Sequence, residues 1–207
     1  MSPSNRKAFL PMADSHISDA ASAKAALRKQ AAIKRNEAAL NLPDGASRLV
    51  ARCDDIKAQF QPTLIAAYWP IKSELDPLAL LRALCRDGIG ACLPRTPEEG
   101  KPLQFHHWDF VTELEDGPYH TKQPSKDAAP ALPDLILAPL LAFDTAFWRL
   151  GYGGGFYDRT IAHLEELGTK PIILGVAYDE QQVDDVPTGP YDMPLDGIVT
   201  PHALTVK

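Results

Sequence analysis

The stretch Thr63-Leu64-Ile65-Ala66-Ala67-Tyr68-Trp69-Pro70-Ile71-Lys72-Ser73-Glu74-Leu75-Asp76-Pro77-Leu78-Ala79-Leu80-Leu81-Arg82-Ala83-Leu84-Cys85-Arg86-Asp87-Gly88-Ile89-Gly90-Ala91-Cys92-Leu93 decides the fold. From Leu64 to Trp69 no polar side chain interrupts the run. A strand without polar alternation is one buried on both faces. Asp76 then caps a helix over residues 77–86, with proline at its first position. Asp87-Gly88 closes the helix, and residues 90–93 read as a second strand. Strand, crossover helix and strand make a βαβ unit.

Upstream, residues 18–41 read as a helix capped by Ser18 or Asp19 and rich in Ala, Leu, Lys, Arg and Gln. Leu42-Pro43-Asp44-Gly45 breaks it. A second helix is expected over 46–60, with Leu49, Cys53, Ile56 and Phe60 on one face. Downstream, residues 94–133 are less regular. Strands are expected at 103–108 and 111–114, and the proline-bearing stretch 115–131 reads as loop. Residues 134–143 read as one buried strand, followed by a glycine-rich run and a helix over 155–167 that Gly168 stops. A strand at 171–177, a short helix at 180–183 and a last strand at 197–200 complete the chain. The alternation predicts an α/β fold: a mostly parallel open sheet with helices on both faces, a Rossmann-like three-layer arrangement in a single domain. The expected boundaries are a flexible N-terminal tail at 1–17 and the domain at 18–207. Ligands of such sheets bind beyond the carboxyl ends of the strands, and the glycine-rich run lies at such an end.

Composition narrows the function classes. Of 207 residues, 45% are apolar and 23% charged, which is ordinary for a globular domain. No apolar run is long enough for a membrane span; the longest, 135–143, is interrupted by Pro139. The apolar patch at 8–12 is too short for a secretory signal, and no small-residue cleavage site follows. Cys53, Cys85 and Cys92 form no CxxC pair, so they read as inert thiols of a reducing, cytoplasmic protein. The net charge of −6 comes without a basic block, which argues against nucleic acid as a partner.

The chemistry concentrates in Arg149-Leu150-Gly151-Tyr152-Gly153-Gly154-Gly155-Phe156-Tyr157-Asp158-Arg159, where four of the 13 glycines fall within five positions. Glycine lets backbone approach a ligand closely and adopt positive φ. Successive amides in such a turn form an anion nest, and the following helix adds its positive end. The run is not a Walker A motif, since no Gly-Lys-Ser/Thr follows, and it is not GxGxxG, since Phe156 stands at the last position. Glycine density alone also describes a plain turn. Such a turn has no need of two arginines, three aromatics and an aspartate.

These residues resemble the 5-formyltetrahydrofolate cyclo-ligase family, whose fingerprint is an arginine, a glycine-rich stretch and an aromatic-Tyr-Asp-Arg ending. The resemblance extends over about 24–200 and includes Lys24-x-x-x-Arg28, Trp69-Pro70, Glu74 and Tyr191-Asp192-Met193. It implies that ATP meets Lys24, Arg28, Arg149, Leu150, Gly151, Tyr152, Gly153, Gly154, Gly155, Phe156 and Tyr157. It implies that the folate meets Trp69, Glu74, Tyr152, Gly154 and Phe156, and that Mg²⁺ meets Asp158 and Asp192. The implied activity is ATP-dependent closure of 5-formyltetrahydrofolate to 5,10-methenyltetrahydrofolate. The implied partners are a reduced folate and ATP, with neither nucleic acid nor membrane, on a monomer or weak homodimer.

Each residue also has a plainer reading. Lys24 and Arg28, at i and i+4, point one way and describe a solvated basic face equally well. Trp69 fits a core and Glu74 a surface. Asp158 suits a helix start through the dipole, and Asp192 suits a turn. The histidines form no site: His106 and His107 are adjacent, so on a strand they face opposite ways. There is neither a serine nucleophile elbow nor zinc spacing. Two departures from the family pattern stand out. Gln123-Pro124 replaces Glu-Pro in the middle loop, and Asp144-Thr145-Ala146-Phe147-Trp148 replaces a more polar, glycine-containing loop. They leave open a binding module that has lost catalysis. A sugar-phosphate isomerase on a similar scaffold, working without ATP, is a further alternative.

Overall fold

The computed structural model describes residues 13–207. Helix α1 (Ala13–Asn41) starts earlier than residue 18, so residues 13–17 are helical; the rest of the expected tail lies outside the described residues. From Lys24 onward α1 turns one narrow stripe inward, made of Lys24, Leu27, Arg28, Ala31, Arg35, Ala38 and Ala39. That is the 3.6-residue period of a helix lying on a domain, but three of the seven are cations. The expected helix at 46–60 is broken into α2 (Gly45–Leu49), a 3₁₀ turn and α3 (Cys53–Phe60), with Leu49 and Ile56 fully buried.

Strand β1 (Leu64–Ala66) is shorter than its apolar run. Ala67 and Tyr68 stay buried, but the chain leaves the ladder there and turns towards the site. Helix α4 (Leu78–Leu84) follows, with Asp76 Oδ1 accepting the Leu78 N–H at 2.8 Å as expected of a cap. Then come β2 (Gly90–Arg95), β3 (Gln104–His107), the two-residue strands β4 (Glu115–Asp116) and β5 (Lys122–Gln123), and β6 (Leu135–Pro139). No strand forms at 111–114. Asp109 accepts the N–H groups of Val111 at 2.9 Å and Thr112 at 2.7 Å, and this side-chain turn replaces a ladder.

The run at 134–143 is two strands, not one, because the chain leaves the sheet at Pro139. The Leu140 and Leu141 carbonyls take side-chain donors instead, from Gln181 at 2.9 and 3.1 Å and from Arg35 to Leu140 at 3.4 Å. Beyond that corner β7 (Ala142–Phe143) pairs antiparallel with β8 (Arg149–Leu150). Helix α5 (Phe156–Glu166), β9 (Ile172–Val176), a 3₁₀ turn at Asp179–Gln181 where a helix was expected at 180–183, β10 (Gly197–Val199) and β11 (Leu204–Val206) close the fold. Strand β11 was not foreseen; it is short and largely exposed.

The main sheet has seven strands in the order β11-β10-β9-β6-β1-β2-β3. The inner five run parallel and the two outer strands antiparallel. Asp134 accepts from the backbone of Thr63 at 2.8 Å and of Leu64 at 3.1 Å, which locks the start of β1 to β6. The two faces sort cleanly. Leu135 and Leu137 pack with residues of α1 to α4, whereas Ile136 and Ala138 pack with Ile161 and Leu164 of α5. This is the expected three-layer α/β arrangement. Cys92 is buried and Cys53 and Cys85 half-buried, all as free thiols. No helix among the described residues is long and apolar enough to cross a membrane.

Candidate active site

A cavity of about 310 Å³ opens where β1, β2 and β6 end. Lys24, Arg28, Trp69, Glu74, all ten residues of 149–158 and Asp192 line it, so every expected site residue reaches one space. The cavity lining contains neither serine, cysteine nor histidine.

The glycine-rich run enters on β8, held by its hairpin. At the hairpin tip Asp144 is buried and accepts the N–H groups of Ala146, Trp148 and Val186 at 2.9 to 3.0 Å. The divergent loop at 144–148 is therefore a well-capped support for Arg149. Gly153 has φ +101° and Gly155 φ +64°, a region costly for residues bearing a Cβ. Gly155 precedes the first turn of α5, whose amides are free for an anion. Arg28 Nε donates to the Gly151 carbonyl at 3.0 Å, and a Cβ on Gly153 would stand 3.1 Å from the Arg28 guanidinium carbon. Glycine at 153 thus lets a cation lie against the loop backbone.

Two of the cations that converge on the run are paired with the acids expected to hold metal. Lys24 Nζ lies 2.5 Å from Asp192 Oδ2, which also accepts the Gly189 N–H. Arg149 donates to Asp158 Oδ1 at 2.8 Å and to the Met193 carbonyl at 2.6 Å. Burial pulls the Arg149 pKa below the usual arginine value, and Asp158 opposes that shift. Among the described residues, Asp158 Oδ2 and Asp192 Oδ1 make no hydrogen bond. The described residues hold no group of three or more acids, histidines or cysteines placed to hold a metal ion by themselves. Two carboxylates, each with one oxygen free of hydrogen bonds, are a donor set that fits Mg²⁺, which usually takes one or two carboxylates and its remaining ligands from phosphates and water.

The lining also gathers aromatic side chains and one acid. Trp69 and Phe156 face the cavity. Glu74 Oε2 accepts the Ile71 N–H at 2.8 Å, and its side chain is almost fully buried. Burial raises the Glu74 pKa, opposed by the Ile71 N–H and by Arg35. The Arg35 guanidinium lies 5.3 Å and Lys72 Nζ 5.2 Å from the centre of the Tyr152 ring. Sequence reasoning missed Arg35, although its place on the α1 stripe after Lys24 and Arg28 was a usable signal. It also missed Tyr119 and Lys122, which the β4–β5 hairpin brings to the lining. Gln123 of that hairpin is buried outside the lining, and its Oε1 accepts the Thr96 N–H at 3.2 Å. A neutral amide here has a structural partner.

A model of the 5-formyltetrahydrofolate cyclo-ligase family matches residues 20–201. The chain is 35% identical over 145 residues to the 5-formyltetrahydrofolate cyclo-ligase of Escherichia coli K12, covering 68% of this chain and 79% of that protein. It is 31% identical over 172 residues to the Haemophilus influenzae enzyme of the same name, covering 79% and 89%. The fold is similar to the NMR structure of Aquifex aeolicus 5,10-methenyltetrahydrofolate synthetase, with a TM-score of 0.69 and 26% identity over 88% of this chain and 92% of that one.

Proposed function

The chain belongs to the 5-formyltetrahydrofolate cyclo-ligase family, and we infer that it converts 5-formyltetrahydrofolate and ATP to 5,10-methenyltetrahydrofolate, ADP and phosphate. The observation that carries this reading is the adjacency, in one cavity, of a cation-rich glycine loop and an aromatic wall holding a buried carboxylate. In the reaction the terminal phosphoryl group moves to the formyl oxygen. N10 then attacks the formyl carbon and loses its proton, and the oxygen departs with phosphate. Such chemistry asks for positioning and charge neutralisation and for no protein nucleophile. A lining without serine, cysteine or histidine suits it.

In this reading Lys24, Arg28, Arg149 and the amides of 150–157 hold the triphosphate. Trp69 and Phe156 pack on the pterin, beside Tyr152 and Gly154, and Glu74 accepts hydrogen bonds from its N–H edge. Asp158 and Asp192 would hold Mg²⁺, which when bound neutralises phosphate charge. Lys24 and Arg149 then exchange their carboxylate partners for phosphate oxygens. The buried Arg149 keeps its head fixed by the Met193 carbonyl, so it presents an oriented donor rather than a mobile one. The free thiols suit a cytoplasmic location, and a monomer or weak homodimer is expected by gel filtration.

The test mixes the protein with 5-formyltetrahydrofolate and Mg·ATP and follows the methenyl chromophore. ATP-dependent product is the expected result. Folded protein that binds both ligands without product would instead identify a binding module, and turnover of a sugar phosphate without ATP an isomerase.

A further inference from the structure

Arg35 lies about two helical turns beyond Arg28 and about three beyond Lys24, on the inner stripe of α1. Its side chain is 2% exposed. A buried guanidinium must have its charge and its N–H groups met. Nη1 reaches Glu74 Oε1 at 3.6 Å and the Leu140 carbonyl at 3.4 Å, Nη2 donates to the Tyr152 hydroxyl at 2.5 Å, and Nε donates to Ser73 Oγ at 3.3 Å. These partners come from the loop after β1, the corner after β6 and the glycine-rich run. Arg35 is thus the point at which three site-forming segments meet.

We propose that Arg35 is a positioning residue for the folate side of the cavity, holding Glu74 as an oriented anion and Tyr152 by its hydroxyl so that the substrate meets a finished hydrogen-bonding wall. The groups facing Glu74 are Arg35 from α1, Lys72 and the Ile71 N–H from its own loop, Tyr152 from the glycine-rich run, Tyr68 after β1 and Tyr157 from α5. Two of these are cations, and of the two only Arg35 is buried. Burial drives Glu74 towards its neutral form, and Arg35 acts against it. A protonated Glu74 would offer a donor where a pterin N–H edge needs an acceptor. Lysine is no equivalent, since it cannot span Glu74 and Tyr152 with one planar fork.

The inference rests on the cyclo-ligase reading in that Glu74 must meet the folate. It is tested by the KM for 5-formyltetrahydrofolate at saturating Mg·ATP between about pH 6 and 8.5, in wild type, Arg35→Gln, Arg35→Lys, Glu74→Gln and the double variant Arg35→Gln/Glu74→Gln. In wild type KM is expected to stay within about twofold across the range. In Arg35→Gln it is expected to rise about tenfold or more at pH 6 and to fall back as Glu74 ionises, because each unit of pKa displacement is a tenfold change in the charged fraction. On the Glu74→Gln background Arg35→Gln should add less than about twofold and no pH dependence, as coupled residues do. A purely structural Arg35 would raise KM equally at every pH and combine multiplicatively with Glu74→Gln, and either outcome overturns the proposal. If Arg35→Gln does not fold, Arg35→Lys decides, alone and on the Glu74→Gln background: a raised KM that Glu74→Gln abolishes supports the fork, and a wild-type KM or a multiplicative combination overturns it. Wild type without folate turnover sinks the cyclo-ligase reading and this inference together; turnover with a flat Arg35→Gln profile sinks the inference alone.

Discussion

Replacing Gly153 with alanine tests whether the glycine-rich run is a fixed cradle. Two costs can be read from its geometry. At φ +101° an L-residue is strained, at a cost of about 1–3 kcal/mol. The new Cβ would also lie 3.1 Å from Cζ and 3.2 Å from Nη2 of Arg28. Arg28 must then withdraw and give up its bond to the Gly151 carbonyl, a net loss of about 1 kcal/mol. A total of about 2–4 kcal/mol, at 2–4 °C per kcal/mol for a domain of this size, lowers Tm by roughly 4–16 °C. The KM for ATP should rise about tenfold or more through the displaced Arg28. Gly151→Ala is the matched control, since its Cβ meets nothing within 4 Å and its φ is not positive; its Tm should stay within about 1 °C of wild type. If Gly151→Ala is stable yet loses ATP affinity, the ligand occupies the space beside Gly151. A Gly153→Ala protein with wild-type Tm and wild-type KM for ATP would refute the reasoning, and so would equal destabilisation of both variants.

Among the described residues, Arg149→Ala leaves Asp158 with only the Met193 N–H; allowing for the partial exposure of Asp158, stability should fall by about 2–3 kcal/mol in urea unfolding, while kcat/KM for ATP falls at least about a hundredfold. Unchanged kinetics would remove Arg149 from the site. Asp134→Ala removes the acceptor for Thr63 and Leu64 and should lower stability by about 1–3 kcal/mol with both KM values intact; altered KM values would mean that β1 carries strain into the cavity. Burial pushes the Cys85 thiol up to about 11, so about one thousandth is thiolate at pH 8. Iodoacetamide labelling of the folded protein, read by mass spectrometry, should therefore be negligible at Cys85 below about pH 10 and rise above it. Rapid labelling at pH 7 would contradict that burial.

The legible parts of the chain were those where one physical constraint acts on many consecutive residues. Apolar runs at 64–69 and 134–143 announced buried strands, and their leading parts, Leu64–Ala66 and Leu135–Pro139, form the middle of the sheet. The four glycines of 151–155 permitted positive φ, and two of them, Gly153 and Gly155, adopt it. Strands β4, β5, β7 and β8 are two residues each, too short for a period to appear. The corner at Leu140 and Leu141 depends on Arg35 and Gln181, donors remote in sequence that no local pattern connects to it. At 111–114 a valine and a leucine suggested a strand, but Asp109 captures the backbone first. Arg35 was missed for a different reason: its spacing put it on the stripe of Lys24 and Arg28, but a buried arginine and a solvated one are the same letter.

The inward stripe of α1 has a consequence for how such a protein changes over time. Its small residues Ala31 and Ala38 are buried, but Lys24, Arg28 and Arg35 reach the loops by polar contacts. In the proposed reading, attachment of the helix and recognition of ligands draw on the same side chains. Selection for folding and selection for turnover cannot be satisfied separately on this face. Leucines that glued the helix down more firmly would remove the groups that make it worth keeping. The outer face, where Ile33 and Leu40 stand exposed, takes no part in these contacts.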